Sequence, residues 1–337
     1  MFQKEKAVVR GLYAAMKGAG PDTIAESLAA HTSPDWHWRG VHPFYERRGP
    51  ADVARAFWTP LLTALTSAQR REDVFFAGRN TVGDGVWVVS MGHLMGLFDA
   101  PWLGIRPTRK IAMLRYCEFN RVADGKIIET MLHVDIPHLM AQAGQNPFPP
   151  QTAAQLVHAG PMTHDGLLLD EQPAEQGAAT LALINAMIGD LGTWQSKLPL
   201  EEELARTWHD DMLWWGPTGI GATYTIERYA KQHSGPFRAA FYDRSGTGHV
   251  ARLAEGHYGG FFGWPNFRAK QRGGFMGMPG NDKDCAFHVI DIYRRDGDKL
   301  AENWVFIDLL FWFMQQGDDV LSRMAGIAGT DYTSPDA

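Results

Sequence analysis

Apolar positions recur with a helical period first and a strand period afterwards in the first half of the chain. Val8, Leu12 and Met16 fall on one helical face, and Asp124-Gly125 separates the last two strand-like runs as a hairpin turn. The pattern predicts helices at residues 4–17, 22–31 and 50–65, and strands at residues 73–79, 86–97, 110–120 and 126–136.

The second half has the same order of elements. The predicted helices are residues 175–190 and 201–209, and the predicted strands are residues 224–230, 250–263, 285–293 and 299–309. Helices that precede an antiparallel sheet are typical of the α+β class, and alternation of the two would indicate α/β. We therefore expect two α+β domains.

Individual residues also recur, at a spacing of 173 positions without a gap. The pairs are Glu118/Asp291, Arg121/Arg294, Lys126/Lys299, Glu129/Glu302, Asp135/Asp308, Gln142/Gln315 and Gly144/Gly317. Nearer the start of each half, Asp35, Trp38 and Gly40 match Asp211, Trp214 and Gly216 at a spacing of 176. Solenoid and propeller repeats recur every ~20 to 50 residues, so this long period indicates a domain duplication.

The boundary between the copies is rich in proline. Residues 1–148 form the predicted first domain, residues 149–173 a linker, and residues 174–325 the second domain. The apolar segment 162–169 within the linker is expected to dock as an extra strand.

Composition narrows the class of protein. A net charge of -6 argues against a nucleic-acid partner, which requires a basic surface. The N-terminus lacks the apolar core of an export signal, so we expect a cytoplasmic protein, and no run approaches the ~18 apolar residues of a membrane-spanning helix. Cys117 and Cys285 occupy different positions in the two copies and are expected to be buried free thiols.

Two segments carry a family resemblance. Residues 124–144, DGKIIETMLHVDIPHLMAQAG, and the loop GIRPTRK at residues 104–110 closely resemble the SnoaL-like polyketide cyclase branch of the nuclear transport factor two superfamily. The loop GMPGNDK at residues 277–283 is similar but less regular. The resemblance implies two tandem cone-shaped domains, each with helices packed on a curved sheet around a ligand cavity. It also implies either proton-transfer chemistry, as in cyclases, isomerases, dehydratases and hydrolases, or ligand binding alone.

Both catalytic positions of the cyclases are replaced in this chain. The cyclase aspartate corresponds to Leu132 and Val305, and the cyclase histidine corresponds to Glu118 and Asp291. The resemblance therefore implies the fold more strongly than polyketide cyclisation itself.

Strand alternation sorts the acids into two faces. If Val122 pairs with Lys126, Glu118 lies opposite Thr130 and shares its face with Tyr116 and Leu132. In the second copy the same face carries Asp291, Asn303 and Val305. Since Leu132 and Val305 stand at a cavity position of the cyclases, the resemblance makes this the inner face of each domain.

Glu118 and Asp291 are then isolated acids on apolar walls. Loss of water raises the pKa of such a carboxyl toward the range that suits a general acid or base. The alternative is a structural acid held by an arginine, a tyrosine or a backbone donor. His93 and His257, in the repeated pattern Gly-His-x-x-Gly, are candidate proton-transfer partners, with satisfied structural histidines as the alternative.

Further residues are assigned by position. Asn303, Tyr116, Thr130, Phe262 and Trp264 are candidate substrate-binding residues, and the aromatic, glycine-rich insertion 261–274 is either a lid or a surface loop. On the opposite face stand Glu129, Asp135, His288, Glu302 and Asp308. A structural role is favoured for the acids of this face, with helix capping by Asp135 and Asp308, and a hydrolase or dehydratase site is the weaker alternative. We find no recognised metal pattern and no cofactor-binding motif.

The leading hypothesis is an enzyme that needs no cofactor and acts on a small, fairly apolar molecule by general acid-base chemistry. Asp291 with His257 and Glu118 with His93 are its proposed proton handlers. The alternative is a noncatalytic small-molecule-binding or scaffolding protein of the same fold. The expected partners are a small-molecule ligand and either a second copy in a homodimer or, within a monomer, the other domain.

Overall fold

The computed structural model describes residues 1–150, 153–154, 157–193, 198–246 and 248–336. It contains two mixed β-sheets, each with helices against one face, in the two halves of the chain. The α+β class and the tandem arrangement are confirmed. Within the described residues, no helix is long and apolar enough to cross a membrane.

The first domain begins with two helices and ends with a strand pair and a short helix. Its helices are α1 (Gln3–Lys17), α2 (Ile24–His31), α3 (Pro50–Val53), α4 (Thr59–Ala64) and α5 (Ile136–Gln142), with a π-helical turn (Ala54–Trp58) between α3 and α4. Its strands are β1 (Thr32–Gly40), β2 (Tyr45–Arg48), β3 (Leu65–Arg79), β4 (Val86–Phe98), β5 (Ile111–Ala123) and β6 (Lys126–Val134).

The second domain repeats this order. Its helices are α6 (Ala174–Thr193), α7 (Leu200–Ala205), α8 (Ile226–Tyr229), α9 (Gly235–Ala240), α10 (Leu309–Gln316) and α11 (Val320–Ala328), with a π-helical turn (Ala230–Ser234) between α8 and α9. Its strands are β7 (Trp208–Trp215), β8 (Ala222–Tyr224), β9 (Phe241–Gly246), β10 (Ala251–Glu255), β11 (Tyr258–Gln271), β12 (Asp284–Asp296) and β13 (Lys299–Ile307).

The strand order is equivalent in both sheets. The first runs β2-β1-β6-β5-β4-β3, and the second runs β8-β7-β13-β12-β11, with both β9 and β10 on the far side of β11. One pair in each sheet is parallel, β1 with β6 and β7 with β13. The strands β3 to β6 and β11 to β13 pair antiparallel as predicted, and β1 and β7, which were not recognised as strands from the sequence, add one parallel pair to each sheet.

Backbone geometry follows the repeat residue by residue. Left-handed φ angles at Leu103, Gly104, Arg109 and Asp124 recur 173 positions later at Met276, Gly277, Asp282 and Gly297. Isolated bridges also recur, Trp102 with Ile105 and Phe275 with Met278. Residues other than glycine adopt such angles rarely, so their recurrence is strong evidence for equivalent loops.

The hairpin after β5 differs from the expected register by two residues. Asp124 and Gly125 both have positive φ, so the turn has two residues, and Ala123 pairs with Lys126. A bulge between Arg121 and Val122 places Glu118 opposite Leu132. The shift is even, so the predicted division into faces is unchanged.

Several predicted elements of the second domain are wrong. Residues 224–230 were expected to be a strand, but helix α8 begins at Ile226. The predicted helix 201–209 ends at Ala205, and β7 begins at Trp208. The expected insertion 261–274 lies mainly in β11, where a bulge between Gly263 and Phe267 adds two residues relative to β4. The segment is therefore neither a lid nor a surface loop.

The two domains pack sheet against sheet. The faces opposite to Glu118 and Asp291 meet in one buried apolar cluster, in which Trp87 and Phe119 contact Phe262. The equivalent residues His133 and Phe306 also meet, with ring centroids 5.4 Å apart. This arrangement buries the outer face of each sheet and leaves the inner faces to the helices.

The segment between the domains lies against both of them. Phe75 in β3 donates to Gly166 O and accepts from Leu168 N, and Trp304 Nε1 donates to Ala159 O. Among the described residues, the segment forms isolated bridges between Leu167 and Phe75 and between Ala154 and Ala222, so residues 162–169 dock without forming the predicted extra strand.

Candidate functional site

The inner face of the second domain encloses a cavity of about 130 Å³. Cavities of this order in proteins hold about one aromatic ring. Its walls come from β7, β12, β13 and the helical segment around the second π-helical turn. They include Trp208, Trp214, Tyr229, His233, Phe237, Arg238, Arg244, Phe267, Phe287, Asp291, Tyr293 and Asn303.

Asp291 is the acid in this wall. Its carboxylate oxygen Oδ1 accepts from Tyr293 OH at 3.1 Å and from Asn303 Nδ2 at 3.4 Å. Both partners stand on the same face because Tyr293 is two residues further along β12 and pairs with Asn303 on β13. The second oxygen, Oδ2, has no hydrogen-bond partner among the described residues.

The environment of Asp291 raises its pKa to about 6, chiefly because burial disfavours the charged form. The hydrogen bonds from Asn303 and Tyr293 and the positive charge of Arg244 oppose this effect. A carboxyl group with this pKa exchanges protons readily near neutral pH.

The remaining polar groups of the cavity are suited to binding an oxygen atom of a ligand. Burial lowers the pKa of His233 to about 3, so its imidazole is neutral at pH 7 and stacks on Trp214. Burial also lowers the pKa of Arg244 to about 10, which leaves its guanidinium charged. The cavity therefore combines one titrating acid, neutral donors and a cation.

Glu118, the equivalent acid of the first domain, is held tightly. Its Oε2 accepts a hydrogen bond from Tyr13 OH and lies 3.3 Å from Arg70 Nη1. The Arg70 guanidinium stacks over the rings of Tyr13 and Tyr116, at 3.9 and 4.5 Å. These contacts are those expected of a structural acid held by an arginine and a tyrosine, which was the alternative to a catalytic Glu118.

The candidate binding residues of the inner faces lie at different depths. Asn303 lines the cavity of the second domain beside Asp291. Tyr116 is fully buried and hydrogen-bonded to Ser90, and Thr130 lies in the first core between Asn120 and Trp36. Neither Tyr116 nor Thr130 lines a cavity described for the first domain.

The two candidate histidines do not accompany the acids. His93 lies on the outer face of β4, where Nδ1 is 3.4 Å from Asp73 Oδ2. His257 is exposed in the turn between β10 and β11, and the pairing partner of Asp291 is Phe261, four residues further on. The repeated Gly-His-x-x-Gly pattern is therefore a coincidence of sequence, since one copy is in a strand and the other begins in a turn.

Phe262 and Trp264 also lie away from the cavity. Phe262 is fully buried between the two sheets. Trp264 stacks on His288 and donates to Glu46 Oε1 of the first domain. Neither residue lines the Asp291 cavity, because the face of β11 that carries them is the interface between domains.

The acids of the opposite face have structural contacts. Asp135 and Asp308 cap α5 and α10, and each also accepts from a backbone N–H of the other domain, Thr218 N at 3.0 Å and His42 N at 2.8 Å. Glu129 pairs with Arg39 and Arg121, and Glu302 pairs with Arg294. His288 lies stacked between Trp264 and Phe311.

Other cavity residues were not identified from the sequence. Tyr293 could have been found, because strand alternation places it two positions from Asp291 on the same face. Tyr229 and His233 come from helical segments whose packing on the sheet leaves no signal in the sequence. Arg70 and Glu72 share a face of β3, but residues 65–72 were not predicted to be a strand. Within the described part of the chain, no group of three or more His, Cys, Asp or Glu residues could hold a metal ion.

Comparison with known families supports the resemblance. The family model for the SnoaL-like polyketide cyclases matches residues 265–316, which run from β11 through the end of α10. The second domain is therefore similar to this family over the matched residues. The first domain has the same strand order and the same loops at a spacing of 173, so the chain is a tandem pair of domains with one shared topology.

Solved structures align with one domain at a time. AclR from Streptomyces galilaeus is 18% identical with a TM-score of 0.34, and covers 42% of this chain and 96% of its own. TsrD from Streptomyces laurentii is 20% identical with a TM-score of 0.32, and covers 42% and 96%. An NTF2-like protein from Burkholderia thailandensis E264 is 22% identical with a TM-score of 0.31, and covers 41% and 95%. Scores and identities this low indicate nothing about chemistry. A search of curated proteins returned no match.

Proposed function

We propose that the second, SnoaL-like domain is a cofactor-independent general acid-base catalyst for a small, fairly apolar molecule, with Asp291 as its proton acceptor and donor. The observation that carries the proposal is the Asp291 carboxylate within an aromatic cavity, with one oxygen held by Tyr293 and Asn303 and the other without a partner among the described residues.

The proposed step is removal of a proton from a carbon next to a carbonyl group. The C–H electron pair moves into the new C=C bond of an enolate, and the proton goes to Asp291 Oδ2. Negative charge on the enolate oxygen is stabilised by the Arg244 cation or by a donor such as Tyr229, both of which line the cavity. If Asp291 returns the proton to a different atom of the enolate, the product is an isomer of the substrate. If the enolate carbon instead attacks a second carbonyl group of the same molecule, a ring closes and Asp291 protonates the new alkoxide.

A second candidate function is ligand binding without catalysis. It is favoured by Leu132 and Val305, which stand at the position of the cyclase aspartate, and by the engaged state of Glu118. In that case Asp291 would hold a ligand hydroxyl or amide and would take no proton from carbon.

Exchange of carbon-bound protons with D₂O distinguishes the two functions. We expect the full chain to accelerate α-proton exchange in at least one member of a panel of small cyclic and aromatic ketones, followed by proton NMR. Asp291→Asn should slow this exchange by about 10² to 10⁴-fold, since it removes the general base. Its melting temperature at pH 7 should not fall.

Asp284→Asn is the matched control. Asp284 also lies on β12 but is half exposed and pairs with Arg268, so exchange should continue at the wild-type rate. Equal exchange in wild type and Asp291→Asn would refute the catalytic role. Ligand binding without any accelerated exchange would establish the second function.

A further inference from the structure

A second and larger cavity opens in the first domain, between α1, the helical segment around Trp58 and the start of β3. Its volume is about 730 Å³, within the usual range of ~300 to 1,000 Å³ for small-molecule sites. This cavity belongs to the other domain from the Asp291 cavity, and the two share no lining residue.

Arg70 is the buried cation in the wall of this cavity. Its side chain is 11% exposed, is stacked over Tyr13 and Tyr116, and uses Nη1 to contact Glu118. Nη2 is buried and makes no hydrogen bond with any described residue. A buried charged donor without a hydrogen bond costs free energy, so Nη2 of Arg70 is available to donate to an acceptor atom of a ligand.

Glu72 is the matching acid. It lies two residues after Arg70 on the same face of β3, and its Oε1 is likewise buried without a hydrogen-bond partner among the described residues. Burial raises the pKa of Glu72, although the charges of Arg70 and Arg10 oppose this effect. The cavity thus presents an unused donor and an unused acceptor side by side.

The other residues that line the cavity indicate which further groups a ligand would carry. Arg10, Lys17 and Arg71 also line the cavity, and Glu72 is the one acid among its lining residues. The apolar part of the wall comes from Met16, Trp58, Leu62 and Leu94. An anionic group is therefore favoured near the basic residues, together with an apolar or aromatic body.

We propose that the first-domain cavity is a separate binding site for a small hydroxylated organic acid. The ligand carboxylate accepts hydrogen bonds from Arg70, its hydroxyl group donates to Glu72, and its body lies against Trp58 and Leu62. A molecule with only one of the two polar groups leaves either Arg70 or Glu72 without a partner. This assignment does not depend on the chemistry proposed for Asp291.

Calorimetric titration of the full chain with three probes tests the proposal. The probes are 4-hydroxyphenylacetate, phenylacetate, which lacks the hydroxyl group, and 4-hydroxyphenylacetamide, which lacks the charge. We expect 4-hydroxyphenylacetate to bind about tenfold or more tightly than either analogue, because each analogue loses one hydrogen bond to a charged group.

Glu72→Met removes the acceptor and keeps the length of the side chain. In this variant 4-hydroxyphenylacetate and phenylacetate should bind with equal affinity, even if the affinity for both carboxylates changes. Arg10→Gln at the exposed rim should weaken both carboxylates severalfold and the amide little. Arg70→Met, checked for an unchanged melting temperature, should abolish the preference for carboxylate over amide.

Asp291→Asn is the control for the other cavity and should leave all three affinities unchanged. The proposal is overturned if none of the probes binds at millimolar concentration, if Glu72→Met leaves the hydroxyl preference intact, or if Asp291→Asn removes binding.

Discussion

Glu118 and Asp291 occupy equivalent positions on β5 and β12, yet their neighbours give them different properties. Each pairs across the sheet with an apolar residue, Leu132 or Val305. Arg70 and Tyr13 supply a cation and a phenol to Glu118, whereas Asp291 has two neutral donors at hydrogen-bond distance. Burial in an aromatic wall with neutral hydrogen-bond partners raises the pKa of Asp291 to about 6.

This difference predicts a pH-dependent effect of Asp291→Asn on stability. The pKa of Asp291 is about 6 in the folded chain, above its value of ~3.9 when unfolded. The native state therefore binds the proton more tightly, so the contribution of this group to stability is present below pH ~4 and is lost as the pH rises through 6. Relative to wild type, Asp291→Asn should gain up to about 3 kcal/mol between pH 4 and pH 8.

Chemical denaturation of both proteins at several pH values measures this gain. Taking the difference between the two proteins removes the pH-dependent contributions of all other groups, which the two proteins share. A difference that does not change with pH would show that Asp291 titrates as an ordinary carboxyl group.

At the scale of elements, the residues that recur at 173 positions mostly serve the fold. Gln142 and Gln315 each make a pair of hydrogen bonds from a helix to the backbone of a strand, at Met113 and Ala286. Lys126 and Lys299 each donate to carbonyls at the end of an early helical segment. Recurrence in this chain therefore marks structural requirements, and Glu118 and Asp291 differ from the other pairs because they face inward.

Substitution of Asp308 measures how much the cap of α10 and its contact with the other domain contribute to stability. Asp308→Ala removes the cap of α10 and leaves His42 N without its acceptor between the domains. We expect a loss of about 2 to 4 kcal/mol in the free energy of unfolding, from the cap and the unsatisfied donor together.

Asp319→Ala is the comparison for this measurement. Asp319 caps α11 through Ser322 N at an exposed site, so its loss should cost about 1 kcal/mol. Urea denaturation of the two variants gives both values, and equal losses would mean that the contact between Asp308 and His42 contributes nothing.

At the scale of the whole molecule, the chain pairs its own two domains through their outer faces. Asp135 and Asp308 each bind a loop of the other domain, and His133 meets its equivalent Phe306. The arrangement has an approximate twofold symmetry, such as two separate copies would form in a homodimer. Further pairing of the whole chain in a homodimer stays a prediction.

Substitution of Phe262 tests whether the interface between the two sheets is independent of the Asp291 cavity. Phe262→Ala removes a fully buried ring from between the sheets and should cost about 3 to 5 kcal/mol of stability. Because Phe262 faces away from Asp291, the rate of α-proton exchange per folded molecule should not change.

Phe287→Ala is the contrasting variant. Phe287 is equally deep but lines the Asp291 cavity, so its removal should lower stability and change the exchange rate together. If folded Phe262→Ala loses α-proton exchange, Phe262 contributes to the substrate site, as the sequence predicted.

The sequence was a reliable guide where local pattern and repetition agree. The strands β5, β6, β12 and β13 have alternation, a hairpin turn and a register repeated at 173, so local pattern is enough to divide their side chains between two faces. The family resemblance indicated which of the two faces is the inner one. Residues 65–72 and 208–215 were missed as strands because their sequences, LTSAQRRE and WHDDMLWW, do not alternate between apolar and polar residues. In the second domain the long strand β3 is replaced by β9 and β10, a difference that no local pattern indicated.

The sequence by itself determined the α+β class, the duplication and the shared strand face of Glu118 with Tyr116 and of Asp291 with Asn303, because periodicity and turn chemistry act over a few residues. Only the tertiary structure decided which acid is held by a cation, which histidines lie near it and which aromatic residues line a cavity. Those properties depend on helices and on a second sheet that are distant in sequence. The Asp291 cavity and the pair formed by Arg70 and Glu72 were therefore found in the packing of the domains.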